Sequence, residues 1–334
     1  MFLLLLACVA DPAPTDTTDQ ADPLPTYTCA GDVPEGQVSF PEDEQPQGAS
    51  TEWWYWTGHL QDDAGRWYGF EQVFFLFDYN GTPYTMVHSA VTDIDADVFA
   101  FDGGFDVWDG EVPAEGFSFA LSDWSATGGG GHDVLEGKVG DYGLDLVLDD
   151  AKQPVLEHGD GYHEYDAGGY TYYYSRTRMN AAGTLDVGGE ARAVTGSAWF
   201  DRQWGDLDAA IRSGWDWFAL QLDDGREVMI FLTRGADGTT LAGGTLVGAD
   251  CMAEEIPADQ LVVTSTGTWS PEEGCVYPSG WDVTLGDETL HVTPVRADQE
   301  LAVPGVERYW EGAALVDGDA TGRAYVELTK YCDG

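Results

Sequence analysis

The sequence predicts an all-β protein made of two tandem β-barrel or sandwich domains, and three observations predict it. From about Pro41 onward, short runs rich in Val, Tyr, Phe, Trp and Thr are separated by turns containing Gly and Asp, the pattern of half-buried strands and their connections. Long stretches with helical apolar spacing are almost absent. An internal repeat sets the domain count. Trp54, Trp56, Asp62 and Asp63, followed by Gly65-Arg66, recur as Trp215, Trp217, Asp223 and Asp224, followed by Gly225-Arg226. Each copy reads as an aromatic strand, a tight Asp/Gly turn and an apolar return strand, so one hairpin of this kind occurs per half. The division is expected between Gly205 and Ser213, with a first domain over 41–208 and a second over 209–334. With 334 residues, 43% of them apolar and thirteen tryptophans, the chain can fill two cores.

The N-terminus opens "MFLLLLACVADPAPTDTTDQADPLP". Leu5-Leu6-Ala7-Cys8 resembles a bacterial lipobox, in which Cys8 would carry the lipid. The apolar run before it is short and lacks the basic residues of a secretory signal, so residues 1–8 read as a signal remnant, the alternative being an accidental match. The Pro-, Thr- and Asp-rich stretch up to residue 40 reads as a flexible tether. A lipid anchor is then the only membrane contact, because no later segment approaches the roughly eighteen apolar residues of a spanning helix. The expected setting is the bacterial cell envelope or the exterior.

Strands follow in order. In the first half they are expected at Glu52 to Leu60, Trp67 to Phe77, Tyr84 to Thr92, Gly143 to Leu148, Tyr170 to Met179 and Ala193 to Phe200. In the second half they are expected at Trp215 to Leu222, Glu227 to Thr233, Leu261 to Ser265, Gly280 to Leu285, Leu290 to Pro294, Tyr309 to Val316 and Gly322 to Leu328. Cys29, Cys251, Cys275 and Cys332 form an even set suited to an oxidising compartment. Of the three pairings they allow, Cys251 with Cys275 and Cys29 with Cys332 is the expected one.

Charge excludes a class of partner. Lys plus Arg total 14 against 60 Asp plus Glu, a formal charge of −46, so a phosphate backbone would be repelled and nucleic acid is no partner. The acids sit mostly in turns such as "LQDDAG" and "QLDDGR", as a hydrated surface rather than a metal site. His158 and His163 in "LEHGDGYHEYD" come nearest to a metal spacing, but they lie in a Gly-rich loop without a predictable third ligand, so no metal or cofactor is expected. "TGGGGHD" lacks the Lys-Ser/Thr of a phosphate loop, and no nucleophile elbow occurs.

The stations "EWWYWTGHL", "YGFEQVFF", "GSAWFDRQWG", "GWDWFALQLDDGREVMIF", "YWEGAALV" and "YVELTKY" resemble, in order from Glu52 to Tyr331, those of the carotenoid 1,2-hydratase (hydroxyneurosporene synthase) and AttH-like family. That resemblance implies two tandem lipocalin-like (calycin-type) antiparallel β-barrels. It also implies a cavity for an apolar, isoprenoid-like ligand, with hydration or isomerisation of an alkene as one activity of such proteins and non-catalytic carriage as the alternative. Asp201 falls where the family's acid lies.

Period-two alternation places Ser197, Trp199, Asp201 and Gln203 on one face. If that face points into a barrel, desolvation raises the Asp201 carboxyl and leaves an acid able to protonate an alkene. The competing reading is a structural carboxylate paired with Arg202, Arg176 or Arg178. Glu52, Trp54 and Trp56 share one face of the opening strand, and Trp53, Tyr55, Thr57 and His59 the other. Trp54 and Trp56 match Trp215 and Trp217 in the repeat and look like requirements of the fold. Trp53 and Tyr55, matched with Gly214 and Asp216, occur once and are candidates for a site or a domain seam. The proposed ligand wall comprises Glu52, Trp53, Tyr55, His88, Tyr172, Tyr174, Trp199, Gln203 and Trp204, although a lone His88 on an apolar face is more often a core residue. A monomer is expected.

Overall fold

A computed structural model describes residue 29 and residues 34–165, 168–234, 240–271, 274–302 and 307–332. Cys8 and residues 1–8 lie outside the described residues, as does most of the expected tether. The described end of that tether is folded. Val38 is buried, Phe40 packs edge-on against Tyr174 at 4.8 Å, and the Gln37 amide donates to the Asp160 carbonyl. The packed chain therefore begins before residue 41.

The first twelve strands are β1 (Thr51–Asp62), β2 (Trp67–Tyr79), β3 (Thr82–Asp93), β4 (Val98–Val107), β5 (Phe117–Leu121), β6 (Trp124–Gly129), β7 (His132–Val139), β8 (Tyr142–Asp150), β9 (Val155–Leu156), β10 (Tyr162–Glu164), β11 (Tyr170–Val187) and β12 (Glu190–Asp206). The short helix α1 (Asp208–Ser213) leads into β13 (Trp215–Leu222), β14 (Glu227–Arg234), β15 (Thr240–Val247), β16 (Ala253–Glu255), β17 (Leu261–Ser265), β18 (Thr268–Trp269), β19 (Tyr277–Pro278), β20 (Trp281–Leu285), β21 (Glu288–Pro294), β22 (Glu300–Leu301), β23 (Tyr309–Gly318) and β24 (Gly322–Leu328). No described helix is long and apolar enough to cross a membrane.

Both sheets are antiparallel and share one topology. The first runs β4-β3-β2-β1-β12-β11-β8-β7-β6-β5 and the second β16-β15-β14-β13-β24-β23-β21-β20-β17. In each, a meander curls until its first and last strands pair, leaving a gap at mid-meander between β4 and β5 or between β16 and β17. This is the tandem, nearly closed barrel expected from the sequence. Each interior is filled with side chains. Trp54, Trp56, Phe70, Phe74, Phe117 and Phe200 pack in the first, and Phe218, Leu220, Ile230, Trp281, Trp310 and Val326 in the second. Full burial of each such side chain contributes about 2–3 kcal/mol.

Alternation along β1, β2, β11 and β12 sends the remaining large side chains outward, where they meet the outer face of the second barrel. Tyr55, Val73, Tyr173 and Trp199 join Trp217, Ala219, Met229, Ala313 and Tyr325 in a third apolar cluster at this seam. Gly69 permits the approach, because a Cβ there would stand 2.7 Å from the Ala313 Cβ. A buried clasp holds one end of the seam. Lys152 Nζ donates to Glu227 Oε2 (2.7 Å) and to the carbonyls of Gly225 and Gly248, while Arg178 Nε donates to Glu227 Oε1 (2.5 Å).

Two expectations are corrected. The disulfides are Cys29–Cys251 and Cys275–Cys332. Cys29 is held beside the first barrel by the hydrogen bond its backbone N–H donates to the Ala151 carbonyl, next to the β15–β16 turn that carries Cys251. Cys275 and Cys332 face each other across an antiparallel bridge. The repeat also slips by one residue. Asp62 N–H donates to Arg66 and Gly65 N–H to Asp62, just as Leu222 N–H donates to Arg226 and Gly225 N–H to Leu222. Asp62 therefore matches Leu222, and Tyr55 matches Trp215. A one-residue slip exchanges the faces, so Trp215 and Trp217 lie on the seam face and do not repeat the interior Trp54 and Trp56.

Candidate functional site

The seam opens into a cavity of about 1010 Å³ whose walls come from both barrels and from the linker helix α1. Sequence alternation explains its position. Each barrel's interior is already packed, so the free space lies between outward faces that are aromatic and only partly complementary. Trp53 stacks on Trp215 at 6.3 Å, and Tyr55 and Trp199 each meet Trp217 edge-on.

Of the residues proposed from sequence, Trp53, Tyr55, His88, Asp201 and Gln203 line this cavity, and Trp199 lies just behind it with its indole N–H on Asp201 Oδ1 (2.7 Å). The face carrying Asp201 points to the seam and not into a barrel. Glu52, Tyr172, Tyr174 and Trp204 lie away from it. Glu52 belongs to the interior face, where Arg202 Nη2 donates to its Oε2 (2.5 Å). Tyr174 is in the first core against Phe200, and Tyr172 stacks on Trp204 at 5.2 Å beneath Tyr162. "YTYYYSRTR" is aromatic on both faces, and the pairing Ser175↔Asp201 shows that the odd-numbered face, Tyr173 and Ser175, meets the acid. A bulge between Arg176 and Met179 then parts Arg176 from Arg178, which strict alternation would put on one face. Arg176 turns to Glu44 and Asp150, and Arg178 to Glu227 in the second barrel.

The donors around Asp201 are neutral. Tyr173 Oη donates to Oδ2 (2.5 Å), and Ser175 Oγ and the Trp199 indole reach Oδ1 (2.6 and 2.7 Å). Burial pushes the carboxyl up to about 6, against the lowering by these three bonds. Ser175 Oγ is also 2.8 Å from Glu157 Oε1. A hydroxyl has one proton, so two carboxylates flanking it cannot both be ionised acceptors. Glu157, fully buried and bonded by Thr245 Oγ1 of the second barrel, is pushed up to about 8 by desolvation. It therefore holds the proton at neutral pH and is linked through Ser175 to Asp201.

Glu311 and Glu327 also line the cavity, from β23 and β24. Tyr55 Oη donates to Glu311 Oε1 (2.5 Å), and the Trp215 indole to Glu327 Oε2 (2.9 Å). Burial, then the neighbouring Glu327, holds Glu311 well above the carboxylate range, and desolvation pushes Glu327 up to about 7. Sequence reasoning missed Glu157, Tyr173, Ser175, Glu311 and Glu327. "YWEGAALV" and "YVELTKY" each place one Glu among apolar residues, which is the available signal.

Burial pulls His88 down to about 4 and keeps it neutral, with Nδ1 2.8 Å from Tyr309 Oη. His158 and His163 stack at 4.5 Å on another part of the wall. Among the described residues, the one group of three His, Cys, Asp or Glu close enough for a metal is Cys275, Glu300 and Cys332, and both of its cysteines are in the disulfide.

Two back-to-back lipocalin-like barrels with an acid-lined, aromatic cavity at their seam define a class of double-barrel protein. The AttH-like family model matches residues 32–331, and the chain belongs to the AttH-like family. A Nitrosomonas europaea crystal structure given the AttH name is 28% identical, with a TM-score of 0.81, over 91% of this chain and 100% of that one. The crystal structure of kievitone hydratase from Nectria haematococca is 17% identical, with a TM-score of 0.71, over 91% of this chain and 97% of the other, and shares the fold. No curated protein matches the sequence.

Proposed function

We propose that this protein hydrates, or isomerises, an isoprenoid-like alkene in the seam cavity, with Asp201 as the acid. The observation that carries this reading is the Asp201 carboxyl on the cavity wall, raised to about 6 among neutral donors and joined through Ser175 to the protonated Glu157. Protonated Asp201 transfers its proton to the less substituted alkene carbon, and the π electrons form the new C–H bond. The resulting tertiary cation faces Trp53, Tyr55 and Trp217, whose rings stabilise it without trapping it. Water then adds and gives up a proton to leave a tertiary alcohol, or the Asp201 carboxylate takes back a neighbouring proton and an isomer results. Glu157 and Ser175 restore the Asp201 proton. The double barrel shared with a protein named kievitone hydratase supports a hydration.

The cysteine pairs and the lipobox-like start support a place in the cell envelope or outside the cell, held by a lipid on Cys8. That start also favours the second reading, a non-catalytic carrier of an apolar molecule. Asp201→Asn separates the two. An acid catalyst loses about 10²–10⁴-fold in turnover and keeps its ligand affinity, whereas unchanged turnover, or no turnover in the parent with ligand still retained, favours the carrier. Mass spectrometry of small molecules co-purifying with the protein identifies the ligand, and the absence of any apolar compound counts against both.

A further inference from the structure

The second barrel contributes an acid pair whose placement is as specific as that of Asp201. Glu311 on β23 and Glu327 on β24 are directly opposed partners in the antiparallel ladder, so their side chains leave the sheet on one face with Cβ atoms about 5 Å apart. That face is the seam, and both residues line the cavity that Asp201 lines from the first barrel. The groups facing the pair are Tyr55 from β1, Glu71 from β2, Tyr309 and Tyr325 on the pair's own strands, Trp215 and Asp216 at the start of β13, and Asp201 across the cavity. His88 from β3 reaches it through Tyr309. Asp216 is itself paired with Arg234 (2.6 Å), which lines the cavity together with Arg308 and Lys330, and Glu71 is buried with neither carboxyl oxygen hydrogen-bonded.

We propose that Glu311 and Glu327 are a proton-sharing catalytic pair, in which the ionised member, Glu327, takes the proton from the water that attacks the alkene, on the wall opposite Asp201. The proposal rests on the hydration reading above. Two opposed carboxylates in a poorly solvated seam cannot both ionise at neutral pH, so the pair holds one proton and presents one base. The greater burial of Glu311 places the proton there, against the opposing effect of the Tyr55 bond, while the Trp215 indole favours the ionised form of Glu327. The reaction then balances across the two barrels. The Asp201 O–H bond breaks as the C–H bond forms, the water oxygen bonds the cation, and the water proton passes to the Glu327 carboxylate. The pair afterwards releases one proton and Asp201 regains one.

The test uses the full chain, prenylbenzene as the probe alkene and D₂O as solvent. Deuterium in recovered alkene reports protonation, and alcohol reports water addition. Asp201→Asn is expected to abolish both. Glu327→Gln is expected to lower alcohol formation by about a hundredfold while deuterium exchange stays within a few fold, and Glu311→Gln, which keeps an uncharged group beside Glu327, is expected to leave the acid limb of the pH profile of alcohol formation in place. Alcohol formation within threefold of the parent in both Glu variants, with Asp201→Asn inactive, overturns the pair and leaves the hydration reading standing. An infrared titration without alkene reads the pair separately, since a protonated-carboxyl band titrating near pH 7 is expected in the parent and is expected to be lost in Glu327→Gln. Absence of that band overturns the shared proton whatever the alkene does. A band without any exchange or alcohol in the parent overturns the hydration reading and the pair's catalytic role together.

Discussion

Glu227 and Glu311 are both buried carboxyls at the seam between the two barrels, and they live in opposite surroundings. Glu227 receives Lys152 on one oxygen and Arg178 on the other. Glu311 has a phenol on one oxygen, a second carboxyl opposite it, and Glu71 on the facing strand. At the clasp the charge of Glu227 is neutralised by cations, whereas around Glu311 it is held down by protons, the cavity's own cations being turned to other acids, as Arg234 is to Asp216. The difference separates structural acids from chemical ones more sharply than burial does, because both are equally buried. A compensated acid stays ionised and contributes position. An uncompensated acid near neutrality can give or take a proton, and such acids concentrate at functional sites.

The comparison is broken most forcefully at the clasp. Lys152→Met leaves Glu227 with Arg178 alone and removes an ammonium that also satisfies two carbonyls, so a loss of about 3–5 kcal/mol in urea unfolding is expected. Adding Glu227→Gln is expected to recover part of that loss, since the uncompensated charge goes with it. Turnover per folded molecule should not change. A loss of turnover that tracks folded protein poorly would mean that the clasp end is not merely structural.

The cavity end is read through pH. Glu157, raised to about 8, and Glu327, raised to about 7, bind protons in the folded chain at pH values where the unfolded chain has released them. Stability contributed by a raised carboxyl is complete below its unfolded value near 4.5 and is lost as pH rises through its folded value. His88 and His158, depressed to about 4, act in the opposite sense, but only below 6.5, where the unfolded imidazole charges. Between pH 6.5 and 8 the unfolding free energy is therefore expected to fall, at up to about 1.4 kcal/mol per pH unit for each group protonated only in the folded state, and the melting temperature with it. The exposed His132 and His291, raised by Asp149 and Asp282, act in the same direction. The diagnostic is thus the difference between parent and Glu157→Gln, whose slope should be flatter. Equal slopes would remove Glu157 as the proton store.

Much of the barrel pair was legible in the sequence because strand alternation, Asp/Gly turns and the hairpin repeat are local signals. Trp54 in a core and Tyr55 at a seam follow from parity alone. The cavity's chemistry was only half legible, because it depends on which strand pairs with which. Asp201 stood out in its own strand, but Ser175 and Glu157 become its neighbours through the β11–β12 register and the loop after β9, and Glu311 meets Glu327 through the register of the β23–β24 hairpin. The repeat misled for a related reason. Aligning tryptophan with tryptophan is one residue away from aligning turn with turn, and in a strand that one residue exchanges inside for outside. The disulfide pairing failed similarly, since it depends on how the loop after β8 sits against the β15–β16 turn.

The smallest expected effect tests the contrast where a glycine lets the two sheets pack against each other. Gly69 and Ala313 meet across the seam beside a polar link, in which Thr92, the ladder partner of Gly69, donates to Gln299 Oε1 (2.8 Å) and Gln299 bonds the Ala313 backbone, and a methyl group on Gly69 would stand 2.7 Å from the Ala313 Cβ and 3.6 Å from the Tyr325 ring. Neither neighbour is the loose end of a long chain, so the sheets must separate by a few tenths of an ångström. Gly69→Ala is expected to cost about 1 kcal/mol in unfolding, the low end for overpacking, because the Lys152–Glu227–Arg178 clasp and the Thr92–Gln299 link still hold the domains. The same small separation displaces Tyr325 and, through its strand, Glu327, so binding of an apolar fluorescent probe in the cavity should weaken more than stability does. Ala313→Gly in the same chain removes the opposing methyl and should restore both. If the double variant regains stability without regaining probe binding, the cavity is shaped by something other than the closeness of the two barrels at this contact.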